Sequence, residues 1–151
     1  MADHIGQQLL DALEAAVSGL DVAPHTFQQR TQPTDDSKLP CLLICNGDEQ
    51  SEFGAMGSDV GRPLDREPRL VVIGCVRIGG ASPYRALNAI RAAVEAAVAA
   101  KATLNGLADN MELIATNFDV PTEPADRRAG RVALTFRCGT RTPAGDATTK
   151  I

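Results

Sequence analysis

The stretch "DREPRLVVIGCVRI", Asp65 to Ile78, runs at once into "GGASPYRALNAIRAAVEAAVAA", which ends at Ala100. Two periodicities meet there. In the first half Leu70, Val72, Gly74 and Val76 fall on one side, and Val71, Ile73, Cys75 and Arg77 on the other. Apolar residues on both sides predict a strand inside a sheet rather than at its edge. In the second half Leu87, Ile90, Val94 and Val98 recur at helical spacing. One apolar stripe of that width belongs to a helix lying on a sheet. Ser82 followed by Pro83 is a helix start signal, because a capping hydroxyl precedes a residue with preset φ and no amide proton to satisfy. The alanines of this helix suit close packing.

Working outward, "IGQQLLDALEAAV" lies in an N-terminal helix expected from Asp3 to Leu20, with Ile5, Leu9, Leu13, Ala16, Val17 and Leu20 at helical spacing. Asp3 is its expected N-cap, and Gly19 and Pro24 close the segment. Ala23–Thr31 reads as a weak polar strand and Gln32–Lys38 as a turn. "LPCLLICN" (Leu39–Asn46) reads as a central strand, with Pro40 at its start because proline cannot donate to a ladder. Asn110–Val120 and "RVALTFRCGT" (Arg131–Thr140) are two further strands, joined by "PTEPADRRAG". In the last, Val132, Leu134, Phe136 and Cys138 share one face and Ala133, Thr135 and Arg137 the other. The predicted order is α-β-β-β-α-β-β. It makes an α+β sandwich, a mostly antiparallel sheet of about five strands with two helices on one face. Residues 1–142 form a single domain, and the polar residues 143–151 form a mobile tail. The predicted core is Leu9, Leu13, Val17, Leu43, Val72, Leu87, Ile90, Val94, Leu134 and Phe136.

Residues 47–64, "GDEQSEFGAMGSDVGRPL", fit neither period and are longer than the usual connection of about 4–6 residues. They read as a long loop. Phe53, Met56, Val60 and Leu64 sit among its glycines. Either the loop is disordered or these apolar residues order on a partner.

The chemistry of the chain is sparse. It has 151 residues, a net charge of −4, no tryptophan, one tyrosine and two histidines. No phosphate loop, dinucleotide fingerprint or nucleophile elbow is present. His4 and His25 are isolated, and the carboxylates cluster in polar segments rather than in apolar surroundings that would tune one for acid–base work. The expectation is therefore no catalytic residue and no cofactor. Cys41, Cys45, Cys75 and Cys138 all lie in apolar strand-like runs, where they act as small buried hydrophobes. Cys41 and Cys45 are spaced for a helical metal site but sit in a strand, so no metal is expected. No signal peptide and no apolar run of about 18 residues is seen, so a cytoplasmic protein without membrane contact is expected.

Charge is segregated. Residues 1–64 carry ten acids against three bases, and residues 127–151 carry six bases against one acid. Such halves complement each other within a fold or between copies. Arg127, Arg128, Arg131, Arg137 and Arg141 crowd the C-terminal strand region. Alternation places Arg131, Arg137 and Arg141 on the polar side with Thr135. They form an ordinary solvent face, a protein interface that exploits the planar guanidinium, or a nucleic-acid surface. Against the last stand the acidic net charge, the absence of a basic helix stripe and the lack of stacking aromatics.

The order of parts resembles the tail terminator (tail-completion) family of long-tailed bacteriophages, the family of lambda's minor tail protein U. The likeness is carried by the N-terminal helix "IGQQLLDALEAAV" leading to "LPCLLI", then "RLVVIGCV", the helix "ALNAIRAAVEAAV", the turn "TLNGL" and the closing "GRVALTFRCGTRTPAGDATT". It spans nearly the whole chain. The resemblance implies a structural virion protein without enzymatic activity. It implies copies of the chain in a hexameric ring at the tail–neck junction. The ring caps the tail tube, contacts the tube protein and offers a surface to a head-completion or neck protein. No specific nucleic-acid contact is implied, and the family transfers no residue-level site. From the residues alone, the candidate interface is Phe53, Met56, Val60, Leu64, Arg127, Arg128, Arg131 and Arg137. Another head–tail connector protein is the alternative within the same class, and a nucleic-acid-binding domain the alternative outside it.

Overall fold

The computed structural model describes residues 2–29, 38–54, 63–78, 82–121 and 129–151. Helix α1 (Ile5–Val17) is followed by strands β1 (His25–Gln28), β2 (Cys41–Phe53) and β3 (Pro63–Arg77). Helix α2 (Pro83–Ala100) precedes β4 (Met111–Asp119), β5 (Ala129–Cys138) and β6 (Thr140–Pro143). The class is α+β. The strands form one sheet in the order β1-β2-β3-β5-β4, with β6 paired to β3 beyond the end of β5. Every pairing is antiparallel except β1 with β2.

The sixth strand was not expected. It is the continuation of β5 past Gly139. Arg69 pairs with Arg137 and, three residues earlier on β3, Arg66 pairs with Thr140. A glycine interrupts the ladder there, and a Cβ on it would stand 3.2 Å from Asp109 Oδ2.

One layer of the core lies between helices and sheet. Leu9, Leu10, Leu13, Leu42, Ile44, Leu70, Val72, Leu87, Ile90, Val94, Leu134 and Phe136 are all buried there. Strand alternation puts Leu70, Val72, Gly74 and Val76 under α2. Gly74 permits the close approach, since a Cβ added to it would meet Ile90 Cγ2 at 2.7 Å. Leu43, expected in this layer, is buried on the opposite face. It sits there in a second cluster with Cys41, Ile73 and Cys75. The period of two requires this, because Leu42 and Ile44 already face the helices.

The helix ends also differ from expectation. His4, not Asp3, caps α1: its Nδ1 accepts from the Gly6 amide at 2.9 Å. Ser82 occupies the N-cap position of α2 without a side-chain cap bond, and Pro83 follows it. After α2 the chain turns through Leu104, Asn105 and Gly106, all with positive φ. Gly106, at φ +86°, takes this conformation without the Cβ penalty.

Two segments read as unstructured have ordered contacts among the described residues. Of the long loop at 47–64, residues 47–53 belong to β2 and residues 63–64 to β3. Residues 49–53 of β2 pair with 64–68 of β3 after an irregularity past Asn46, and Pro63 and Leu64 already belong to β3. Residues 55–62 lie outside the described residues. The C-terminal tail is anchored rather than free. Its Ala147 carbonyl accepts from the Ile5 amide at 2.6 Å, and the Ile151 amide donates to the Arg141 carbonyl at 2.9 Å. The Thr148 carbonyl accepts from Gln8 Nε2 at 2.7 Å. The first of these bonds satisfies an amide at the start of α1 that the helix cannot satisfy by itself.

Candidate interaction surface

The helix-free face of the sheet carries the arginines. Register places Glu112 of β4 opposite Arg137 of β5, and Asp65 of β3 opposite Arg141 of β6. Arg137 Nη2 donates to Glu112 at 2.6 Å, and its Nε lies 3.6 Å from Glu67. Arg141 Nε donates to Asp65. Each hydrogen bond to a carboxylate raises the guanidinium pKa above its usual value, Arg137 through Glu112 and Arg141 through Asp65. Two cationic positions of the sequence reading are therefore neutralised within the chain. These pairs are exposed to solvent, where such bridges contribute little stability.

Arg131 stands between Cys75 and Asp119 in register. Its charge faces a buried thiol pair, Cys41 and Cys75, which lie opposite each other on β2 and β3. The contact with Cys41 and burial push the Cys75 thiol up. Burial pushes Cys138 up to about 12. Cys41, Cys75 and Cys138 are buried free thiols, and Cys45 is half-buried. At neutral pH Cys75 and Cys138 are protonated and inert, in line with their reading as small hydrophobes.

The ribbon of β2, β3 and β6 forms an arm at one end of the sheet. Residues 46–53 of β2 are exposed on both faces. The arm is stitched sideways instead of being buried. Arg66 Nη1 bonds Glu49 at 3.0 Å, and Arg66 Nε donates to the hydroxyl of buried Thr142 at 3.0 Å. Phe53 is near its end and 56% exposed; Leu64, its register partner, is half-buried. Between the arm and β4 lies an open polar cleft of about 730 Å³, lined by residues including Asp65, Glu67, Glu112, Arg137 and Arg141.

Of the candidate interface residues, Phe53 and Leu64 share the arm, and Arg131 and Arg137 share the outer face of β5. Met56, Val60, Arg127 and Arg128 lie outside the described residues. Among the described residues no cluster of three or more His, Cys, Asp or Glu is arranged to hold a metal ion. No described helix is long and apolar enough to cross a membrane.

The sequence reading missed a second surface. Tyr84 of α2 and Leu113, Ile114 and Phe118 of β4 are exposed large apolar residues. The Tyr84 and Phe118 rings lie 5.7 Å apart, and the Arg91 guanidinium sits 5.4 Å over the Phe118 ring. The mixed spacing of "MELIATNFD" held the signal: its apolar residues do not keep one period, because the register slips between Leu113 and Ala115.

The fold and these surfaces define a two-layer α+β domain with exposed apolar side chains at its arm and along β4. No family model and no curated protein matches the chain. Its fold is similar, at a TM-score of 0.40, to that of a chain in the virion of a native gene transfer agent particle. The two are 17% identical over 92% of each chain. A likeness of that extent concerns the fold and carries nothing further.

Proposed function

We propose that the protein is a non-enzymatic structural component of a phage-like particle: a tail terminator. Copies of it close as a ring on the tail tube, end tube polymerisation and present a surface to the head or neck. The observation that carries this reading is the order α-β-β-β-α-β-β by which the sequence resembles the tail-completion family, to which the structure adds β6 at the end. Two features support it. The arm leaves Phe53 56% exposed, and large exposed apolar side chains mark surfaces of protein contact. The segregated charge suits head-to-tail contact between identical copies. The pairing of Arg137 and Arg141 with carboxylates of the same chain disfavours a nucleic-acid surface, which needs uncommitted cations for phosphate.

The test is electron microscopy of particles assembled without the protein. Overlong or irregular tails are expected. Tails of normal length detached from heads would instead assign the protein to the connector between head and tail. Normal tails joined to heads would remove it from the junction altogether.

A further inference from the structure

Cys41 and Cys75 are far apart in the sequence, and the ladder between β2 and β3 sets them directly opposite each other. Directly opposed residues of an antiparallel pair have Cα atoms about 4.5–5.5 Å apart and side chains on one face. A disulfide spans about 4.4–6.8 Å between Cα atoms, so the pairing lies within its reach. Both side chains are on the helix-free face, packed with Leu43 and Ile73 in one buried cluster. They touch: the Cys75 thiol donates a hydrogen bond to Cys41 Sγ. The other two cysteines have no thiol opposite them. Cys45 stands opposite Val71, and Cys138 opposite Met111.

We propose that Cys41 and Cys75 are a site of reversible disulfide formation, closed by a low-molecular-weight disulfide of the glutathione type and opened by thiols. The proposal stands apart from the terminator reading. Cys41 starts the exchange. The hydrogen bond from Cys75 holds its pKa below the ordinary thiol value, and the thiolate is the attacking form. Cys41 is the first residue of β2, and Cys75 lies two residues before the end of β3. Strand ends open locally at low cost, which gives a small reagent access to a buried thiol. Cys41 Sγ attacks one sulfur of the reagent, whose S–S bond breaks and whose other half leaves as a thiolate. Cys75, inert while Cys41 is reduced, is the resolving thiol. The first cause of its raised pKa is its hydrogen bond with Cys41, and the mixed disulfide removes the negative charge from that partner. The Arg131 guanidinium, opposite Cys75 in register, favours the Cys75 thiolate that then forms. The Cys75 proton goes to solvent, its Sγ attacks Cys41 Sγ, and the second half of the reagent leaves. The two cysteines have lost two electrons and two protons, and the reagent has become two thiols. The new bond ties the open end of the β2–β3 hairpin, whose far end carries Phe53 opposite Leu64.

Mass and melting test the site in the purified chain carrying C45S/C138S. The folded protein is incubated with oxidised glutathione, alkylated and digested with trypsin without reduction. The chain should lose the mass of two hydrogen atoms and yield residues 39–66 linked to residues 70–77. Dithiothreitol should restore the reduced mass. Constraining a loop of about 35 residues should raise the thermal midpoint by roughly 5–15 °C over the reduced chain. Adding Cys75→Ser should stop the reaction at a glutathione adduct on Cys41. Circular dichroism checks folding; the unaltered chain, mapped in the same way, serves if C45S/C138S is not folded. A folded chain that stays reduced, or one that halts at glutathione adducts with Cys41 and Cys75 both present, overturns the proposal. So does a bond that forms instead to Cys45 or Cys138 in the unaltered chain, or one that does not raise the midpoint.

Discussion

At the scale of single residues, close packing and one carboxylate give the clearest expectations. Gly74 lets α2 approach β3. Replacing it with alanine puts a methyl 2.7 Å from Ile90 Cγ2, a contact that forces a shift in a stiff β-branched side chain. Gly74→Ala should cost about 1–3 kcal/mol. Ile90→Ala, which removes that Cγ2, should cost less in the Gly74→Ala chain than in the parent in thermal unfolding, since the two residues touch. Asp146 gives a pH dependence. Thr148 donates to it through both hydroxyl, at 2.6 Å, and amide, at 3.0 Å. The hydroxyl contributes most to holding its pKa below the ordinary aspartate value. A depressed folded-state pKa gives stability that is full above the unfolded value of about 3.9 and is lost as pH falls through the folded value. The adjacent Ala147 carbonyl holds Ile5, so acid should release the tail from α1. The Ile5 amide resonance should move below about pH 4 in the parent chain and lose that pH dependence in Asp146→Ala. Alternation already placed Arg131 and Arg137 on one face in the sequence. Their partners were not legible, because only register brings Glu112 and Asp65 opposite Arg137 and Arg141.

At the scale of elements, the strands and helices with a buried face were legible and those without one were not. The stripe Leu87, Ile90, Val94, Val98 fixed α2 at the boundaries the structure shows. The outer half of β2 is solvated on both faces, so it leaves no apolar alternation. Its order comes from the ladder to β3 and from side-chain bonds across the ribbon. The sixth strand escaped because Gly139 interrupts a continuous run, and the C-terminal tail because its bonds are made by backbone carbonyls, which no side chain announces. These differences set opposite expectations within one arm. Arg66→Ala removes a side chain only 11% exposed and strips buried Thr142 of its partner, so it should cost about 1–3 kcal/mol in urea unfolding. Phe53→Ser, in the same ribbon, should change stability by less than about 0.5 kcal/mol. On the proposed terminator reading it should nevertheless abolish binding to preformed tail tubes in co-sedimentation. Retained binding would take the arm out of the tube contact.

At the scale of the whole molecule, the sequence showed that charge is segregated but not where the segregation lies in space. The topology leaves Asp11 and Glu14 beside the β1 edge and sets Arg137 and Arg141 within the sheet, opposite Glu112 and Asp65, because β5 enters between β3 and β4 and β6 returns to β3. Phe118 and Tyr84 went unread for the same reason. They are far apart in the chain and meet only when α2 lies beside β4.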